Sequence, residues 1–180
     1  MKQYLVIGLG RFGTSVAKTL YEAGENILGI DVSEELVQDR INNNILKNAI
    51  IGDASDGKIL KDIGAENFDI AFICIGDIEA SVMIALNLKE LGIKSIIAKA
   101  INKKHGKVLT KIGATEIVYP EEHMGKRIAE LTMNTDVIEH LKFTDNFVLV
   151  EVKAPSVFWN NSLIKLDIVL LCKASYCKPI

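Results

Sequence analysis

A glycine-rich segment with the sequence G-L-G-R-F-G occupies residues 8–13, between an apolar run and a helical pattern. The apolar run, residues 4–7, is typical of a buried strand, and residues 14–23 have the periodicity of an amphipathic helix. A second apolar run, residues 27–30, ends at Asp31. This order of strand, glycine-rich turn, helix, strand and acidic residue strongly restricts the folds available to the chain.

Each glycine in this spacing has a distinct physical role. Gly8 permits the tight turn from strand to helix, Gly10 lets the backbone approach a pyrophosphate, and Gly13 allows close packing of helix on strand. The start of the helix supplies N–H groups and the positive end of the helix dipole. Asp31 is placed to accept hydrogen bonds from ribose hydroxyls. The pattern therefore predicts a nucleotide-binding Rossmann unit.

Strand-like and helix-like segments alternate up to about residue 135. The strands are predicted at 3–7, 26–30, 48–51, 69–75, 95–99 and 116–119, and the helices at 11–23, 33–43, 56–63, 78–91 and 103–111. The strands are nearly continuous apolar runs, which indicates burial on both faces of a parallel sheet. Right-handed crossovers then place helices on both sides. We expect an α/β fold with a Rossmann-like, doubly wound parallel sheet.

The sequence pattern changes after Pro120. Residues 121–133 are amphipathic, with Met124, Ile128 and Leu131 on one face, which predicts a helix. A second short helix is expected at 136–141, followed by a strand at 147–152. The predicted organisation is a nucleotide-binding domain at 1–120, helical connectors that mediate dimerisation at 121–141, and the start of a further lobe at 142–180. The apolar helix face needs cover from a second copy or from the chain's own sheet.

Composition excludes several classes of protein. A net charge of −2 and a pI near 5.9 give no electrostatic reason to expect a nucleic-acid partner. No apolar run approaches the roughly 20 residues that span a bilayer. The first strand is predicted to begin almost at Met1, so we do not expect a secretory signal. Three cysteines without a C-x-x-C pair suit a reducing cytoplasm, with Cys74 expected in the core.

Further candidate site residues follow the predicted strands, at the edge where ligands bind in open parallel sheets. They follow the second, third and fourth strands or end the fifth, and are Val32, Asp53, Ala54, Ile75, Gly76 and Lys99. Each position taken alone is equally consistent with an ordinary turn residue. Together they surround one crevice, so we expect them to line the nucleotide site.

Arg11 and Asp31 restrict which nucleotide can bind. The guanidinium of Arg11 can reach phosphate oxygens beyond the pyrophosphate, and the alternative is a solvated arginine at the helix start. Asp31 disfavours a 2′-phosphate because two anions would meet at close range. NADP is therefore not expected, whereas NAD, ATP and ADP all remain open.

Catalytic motifs are not found. His105, His123 and His140 have no metal-ligand spacing, and His105 and His123 are expected at the surface. There is no G-x-S-x-G motif and no P-loop, and no second domain large enough to hold a substrate opposite a nicotinamide. A protein that is not an enzyme is expected, with an NAD-dependent oxidoreductase of a small substrate as the alternative.

Residues 4–135 resemble the RCK or KTN family, the regulatory domains of potassium channels and of Ktr and Trk uptake systems. The resemblance depends on V-I-G-L-G-R-F-G at 6–13, I-D at 30–31, G-D-A at 52–54, I-G at 75–76, L-K-E-L-G-I at 88–93, K-V-L-x-K-I-G-A at 107–114 and V-Y-P-E-E-H-M-G at 118–125. It implies a cytoplasmic regulatory subunit, a dimer or octameric ring at the inner face of the membrane. That ring would control a membrane-embedded potassium-translocating subunit in response to ATP/ADP or NAD/NADH.

The resemblance also implies roles for individual residues. The phosphates would be held by Gly8, Leu9, Gly10, Arg11, Phe12 and Gly13, the ribose by Asp31, and the rest of the ligand by the crevice residues named above. Arg11 would meet the γ-phosphate of ATP across a subunit interface. Glu121 matches a family glutamate that can hold a divalent cation, Mg²⁺ or Ca²⁺, beside that phosphate. An acidic residue stabilised by the helix dipole explains Glu121 equally well.

The end of the chain departs from the family pattern. Residues 143–167 match the beginning of the family's β-rich C-terminal lobe, but the sequence no longer resembles it from Ile168 onward. We therefore expect an incomplete, truncated α+β C-terminal lobe.

Overall fold

A six-stranded, all-parallel sheet forms the centre of the first part of the chain. The structure, a computed structural model, describes residues 2–133, 137–144, 147–152, 154, 156–162 and 164–166. The strands are β1 (Gln3–Ile7), β2 (Asn26–Asp31), β3 (Ala49–Ile51), β4 (Ile70–Ile73), β5 (Ser95–Lys99) and β6 (Glu116–Val118), in the order β3-β2-β1-β4-β5-β6. The strand order reverses between β1 and β4. Open α/β sheets bind ligands at such a point, outside the carboxyl ends of the strands.

Helices follow the strands as the sequence predicts. They are α1 (Arg11–Glu22), α2 (Glu34–Asn42), α3 (Gly57–Asp62), α4 (Ile78–Glu90), α5 (Lys103–Ile112) and α6 (Pro120–Met133). The side chains of Ser33, Asp56, Asp77 and Asn102 accept hydrogen bonds from first-turn N–H groups and so cap α2, α3, α4 and α5. The α/β class and the doubly wound parallel sheet are confirmed.

The sheet is buried on both faces because successive residues of a strand point to opposite sides. In β1, Leu5 and Ile7 belong to one apolar cluster, whereas Tyr4 and Val6 belong to the other. Leu5 and Val6 have no exposed side-chain surface, and burying such a side chain contributes about 1.5–3 kcal/mol. The two clusters together hold the strand ends, and therefore the crevice at their carboxyl edge, in fixed positions.

The chain divides into two compact units, Met1–Glu122 and His123–Ile180. The second unit contains an antiparallel hairpin of β7 (Val137–Thr144) and β8 (Phe147–Val152), with Leu141 opposite Leu149. The strand predicted at 147–152 is confirmed. The short helix predicted at 136–141 is wrong, since residues 137–141 belong to β7, and residue 136 lies outside the described residues. The next strand in the chain satisfies the backbone of β7, and this pairing overrides a weak local preference for helix.

The helix predicted at 121–133 is confirmed as part of α6. Met124 and Ile128, on its predicted apolar face, are 54% and 56% exposed. None of the helices in the part of the chain that the structure describes combines the length and apolar character that crossing a membrane requires. Residues 167–180 lie outside the described residues, so the incomplete C-terminal lobe stays a prediction.

Candidate functional site

Two of the three glycines of the turn between β1 and α1 meet a steric demand. Gly8 has φ of +93°, a conformation that favours glycine, and a Cβ built on it would lie 2.7 Å from Cγ2 of Ile75. A Cβ on Gly13 would overlap the carbonyl oxygen of Gly8. Gly10 differs, because no atom lies within 4 Å of the Cβ position built on it. Gly8 and Gly13 are therefore packed so closely that no side chain fits there, whereas Gly10 has free space beside it.

The open position is also the start of α1. Gly10 is the N-cap of this helix and supplies no side-chain hydrogen bond to it. The first N–H groups of an α-helix have no acceptor within the helix, and they attract anions together with the helix dipole. Arg11, the first helical residue, is exposed and adds a full positive charge. The first turn of α1 thus has the geometry and the charge to bind a phosphate.

The side chains of Leu9 and Phe12 point into the apolar core, so only their backbone groups are available at this turn. The side chain of Leu9 is fully buried, and that of Phe12 packs against the same apolar cluster. The N–H group of Leu9 donates a hydrogen bond of 2.6 Å to Oδ2 of Asp31. Their predicted contribution to phosphate binding is therefore restricted to peptide groups of the turn.

The carboxylate of Asp31 connects two turns of the protein. Oδ2 accepts from the N–H of Leu9, and Oδ1 accepts from the N–H of Ser33 at 2.9 Å. Each carboxylate oxygen can accept more than one hydrogen bond, so these contacts leave capacity for ribose hydroxyls. The sequence indicated the ribose contact but gave no sign that Asp31 also holds the glycine-rich turn.

A cavity of about 210 Å³ lies next to this turn, at the carboxyl edge of the sheet. Most of the predicted crevice residues line it, and the lining includes Gly8, Asp31, Val32, Asp53, Ala54 and Ile75. Ser55 donates to Asp53 through its hydroxyl and its backbone N–H, and these bonds hold the pKa of Asp53 below its usual value. The cavity lining therefore includes three carboxylates, those of Asp31, Asp53 and Asp77, and this suits an uncharged nucleoside better than a phosphate.

Lys99, a predicted crevice residue, does not line this cavity. It forms an ion pair with Glu121, the predicted cation ligand. The Lys99 Nζ atom lies 2.7 Å from Oε1 of Glu121. The Lys99 side chain is 15% exposed, whereas that of Glu121 is 71% exposed. The hydrogen bond from Lys99, followed by one from the backbone of Glu121, lowers the pKa of this carboxyl, and the charge of Arg11 adds to the effect. The ion pair of Lys99 and Glu121 therefore lies within electrostatic range of Arg11.

Two potentially reactive side chains near the crevice are held in the core. Cys74 is buried as predicted, and burial raises the pKa of its thiol to about 12. The expectation of a surface position for His105 is wrong, because the residue is 3% exposed. Its Nε2 lies 2.8 Å from Oγ of Ser81, and burial lowers the pKa of the imidazole. His123 is exposed as expected.

Two residues beyond the predicted set are linked to the glycine-rich turn, Thr14 directly and Arg40 through Thr14. The hydroxyl of Thr14 donates to the carbonyl oxygen of Leu9 at 2.6 Å, and Nε of Arg40 donates to that hydroxyl oxygen at 2.8 Å. Arg40 lies on α2, 26 residues from Thr14. No motif or spacing in the sequence could have linked the two.

Comparison with known proteins places this geometry in context. The family model of the TrkA-N domain matches residues 4–120. Ktr system potassium uptake protein C of Bacillus subtilis is 44% identical over 168 residues, which cover 93% of this chain and 75% of that protein.

Solved structures share the fold. The NAD(P)-binding domain of an exopolyphosphatase-related protein from Archaeoglobus fulgidus has a TM-score of 0.65 at 20% identity, over 74% of this chain and 98% of that one. GsuK bound to ADP also has a TM-score of 0.65, at 15% identity, over 75% of this chain and 35% of that one. At these identities the likeness extends to the fold alone.

Proposed function

The chain belongs to the TrkA-N domain family and, within it, to the Ktr potassium uptake proteins, and from this membership we propose that it is a nucleotide-binding regulatory subunit of a potassium uptake system. The observation that carries the proposal is the 44% identity to a Ktr uptake protein over 93% of the chain. The same identity extends over 75% of the relative, so the similarity is not confined to a shared nucleotide-binding fold.

The nucleotide binds across the carboxyl edge of the sheet. Its nucleoside end occupies the cavity beside Asp31 and Asp53, and its phosphates lie against Gly10 and the first turn of α1. The charge distribution supports this orientation, since three carboxylates line the cavity and the exposed guanidinium of Arg11 begins the helix. A phosphate in the opposite orientation would meet these three anions.

The ligands that fit this arrangement are ADP, ATP and NAD or NADH. All of them carry an unmodified ribose that can donate to Asp31, whereas the 2′-phosphate of NADP would repel it. Related folds were solved as an NAD(P)-binding domain and with ADP bound. ATP differs from ADP in a terminal phosphate, for which Arg11 is the suitable partner.

A divalent cation, Mg²⁺ or Ca²⁺, binds at Glu121 beside the nucleotide phosphates. The lowered pKa and the exposure of Glu121 support this role, because its carboxylate is ionised and accessible. Within the described part of the chain, no three His, Cys, Asp or Glu side chains are grouped as a metal site. The remaining ligands of the cation would therefore be phosphate oxygens, water or groups of a second copy.

The subunit acts without a catalytic step of its own. A nucleophilic cysteine needs a lowered pKa, whereas burial raises the pKa of Cys74 to about 12. His105 has both ring nitrogens in hydrogen bonds, to Ser81 and to the backbone N–H of Ile101. Neither side chain is available as a nucleophile or a proton-transfer group, which weighs against an NAD-dependent oxidoreductase.

The partners are a membrane-embedded potassium-translocating subunit and further copies of this chain. The name of the B. subtilis relative supports the first partner, and the exposed Met124 and Ile128 of α6 support the second. A dimer or a ring of dimers at the cytoplasmic face of the membrane would cover these side chains. Light scattering of the isolated chain tests this assembly, and a monomer at tens of micromolar would contradict it.

The test of the function has two stages. Isothermal titration calorimetry with ADP, ATP, NADH and NADPH should detect the first three ligands and give much weaker binding of NADPH. Potassium flux into vesicles that contain a Ktr membrane subunit and this protein should then change on addition of the bound nucleotide. Hydride transfer from NADH to a small keto acid would instead favour the oxidoreductase.

A further inference from the structure

A chain of hydrogen bonds connects α2 to the glycine-rich turn. Nε of Arg40 donates to Oγ1 of Thr14 at 2.8 Å, and Oγ1 of Thr14 donates to the carbonyl oxygen of Leu9 at 2.6 Å. The Arg40 side chain is 18% exposed and forms an ion pair with Asp39. Because Asp39 balances its charge, Arg40 affects the turn through its hydrogen bond more than through long-range electrostatics.

Arg40 determines the direction of the Thr14 hydroxyl. A guanidinium can donate hydrogen bonds but cannot accept them, so the Thr14 oxygen is the acceptor and its single proton is directed to Leu9. Without Arg40 the hydroxyl could rotate, since a threonine in a helix can also bond the carbonyl four residues earlier, here that of Gly10. The bond from Arg40 thus selects the carbonyl of Leu9.

The carbonyl of Leu9 in turn determines where the next N–H group points. In a planar trans peptide the C=O and N–H bonds are directed oppositely, and the described chain has no cis peptide. Since the carbonyl of Leu9 is directed at Thr14, the N–H of Gly10 points away from Thr14. The N–H of Leu9, in the preceding peptide, donates to Asp31. The two peptide groups that flank Leu9 are therefore both constrained.

We propose that Arg40 is a positioning residue for nucleotide phosphates, acting through Thr14 and the Leu9–Gly10 peptide without touching the ligand. The proposal rests on the nucleotide-binding function proposed above. It assigns to α2 a role in phosphate affinity that lies outside the glycine-rich motif. The role concerns the phosphates alone, because the nucleoside end of the ligand is held by different residues.

The test is a double-mutant cycle read by calorimetry with ADP and adenosine. Arg40→Met removes the donor and retains the aliphatic stem, and Thr14→Val removes the hydroxyl at nearly constant shape. Each should weaken ADP binding by about tenfold, the loss of roughly one hydrogen bond to a charged ligand. Adenosine affinity should change by less than about twofold. The double variant should bind ADP no more weakly than Thr14→Val alone, because both changes break the same chain of bonds.

Matched controls separate this role from general effects. Thr14→Ser keeps the hydroxyl and should retain ADP affinity. Lys18→Met removes a positive charge from the exposed face of α1, where the side chain is 58% exposed, and should leave ADP binding unchanged. Amide hydrogen exchange of Leu9 in the ligand-free protein should be faster in Arg40→Met, while the amides of β5 exchange as in the wild type.

Several results would overturn the proposal. Unchanged ADP affinity in Arg40→Met would remove Arg40 from the site while leaving the proposed function intact. Equal losses for ADP and adenosine would show a general structural role, and additive losses in the double variant would show that Arg40 does not act through Thr14. A wild-type protein that binds adenosine but not ADP, or neither ligand, would overturn the proposed function and this role with it.

Discussion

Lys99 at the end of β5 and Glu121 in the first turn of α6 are joined by an ion pair of 2.7 Å between Nζ and Oε1. A second ion pair joins Lys103, the first residue of α5, to Glu122, the residue after Glu121, with 2.9 Å between Nζ and Oε2. The side chain of Lys103 also lies over the ring of Tyr119, 4.1 Å from its centroid. Two lysines, one at the end of β5 and one at the start of α5, therefore hold the first turn of α6, and Lys99 belongs to the candidate site.

Glu121→Gln should reduce the dependence of ATP affinity on divalent cations. The amide is isosteric but neutral, so it loses the charge that a hard cation prefers in its oxygen ligands. Calorimetry with ATP, with and without Mg²⁺, measures the effect. Glu122→Gln removes the neighbouring carboxylate and is the control, because its partner is Lys103. Equal Mg²⁺ dependence in wild type and Glu121→Gln would remove Glu121 from the cation site.

Arg11→Ala should weaken the binding of ATP more than that of ADP. A charge-assisted hydrogen bond to the terminal phosphate predicts a difference of about 1–3 kcal/mol between the two losses. Calorimetry with both nucleotides checks it, and Lys18→Ala on the same helix controls for the loss of one positive charge. Equal losses for ATP and ADP would place Arg11 at the inner phosphates instead.

Asp31→Asn should reduce both ligand affinity and stability. The substitution replaces one acceptor oxygen by an NH₂ group, which would face the N–H of Leu9 or of Ser33. Leaving such a donor without an acceptor costs about 1–3 kcal/mol, even in the ligand-free protein. Urea unfolding without ligand and calorimetry with ADP measure the two effects.

A matched control for Asp31 is Asp69→Asn. Oδ2 of Asp69 accepts a hydrogen bond from the N–H of Gln3 at 2.8 Å, in an exposed position away from the crevice. This variant should leave ADP affinity unchanged. Loss of ADP affinity in Asp31→Asn without any loss of stability would show that the bond to Leu9 does not stabilise the turn.

Stability should fall as the pH drops below 6.5, partly because of His105. Burial lowers its pKa in the folded protein from the ordinary value of 6.5, so the unfolded chain takes up a proton more readily. Its contribution is fully present above pH 6.5 and is lost on acidification, by at most about 1.4 kcal/mol per pH unit. Urea unfolding at pH 7.5 and pH 5.5 should show a smaller difference for His105→Gln than for wild type.

The exposed His123 provides the control for this pH dependence. His123→Gln should retain the full difference in stability between the two pH values, since His123 is exposed and the predicted effect comes from the buried His105. If His105→Gln and wild type lose equal stability on acidification, other groups account for the whole effect.

Local patterns in the sequence determined most of the fold. The alternation of apolar runs and helical periodicities predicted six strands and the helices between them, because the period of side-chain exposure is a property of each segment. The roles of Gly8 and Gly13 were also local, since a positive φ or a tight packing contact restricts one residue type. The residues that follow the strands could be assigned to one crevice from the sequence, because the carboxyl ends of parallel strands lie at the same edge of the sheet.

The tertiary structure decided which side chains hold these parts in place. Arg40 with Thr14, His105 with Ser81 and Lys99 with Glu121 are separated by about 20–30 residues, and nothing in their local sequence indicates a partner. Likewise, the strand Val137–Thr144 exists because a second strand satisfies its backbone. A sequence pattern records the environment of one segment, whereas a hydrogen bond between segments exists only once the sheet order and helix packing have brought donor and acceptor together.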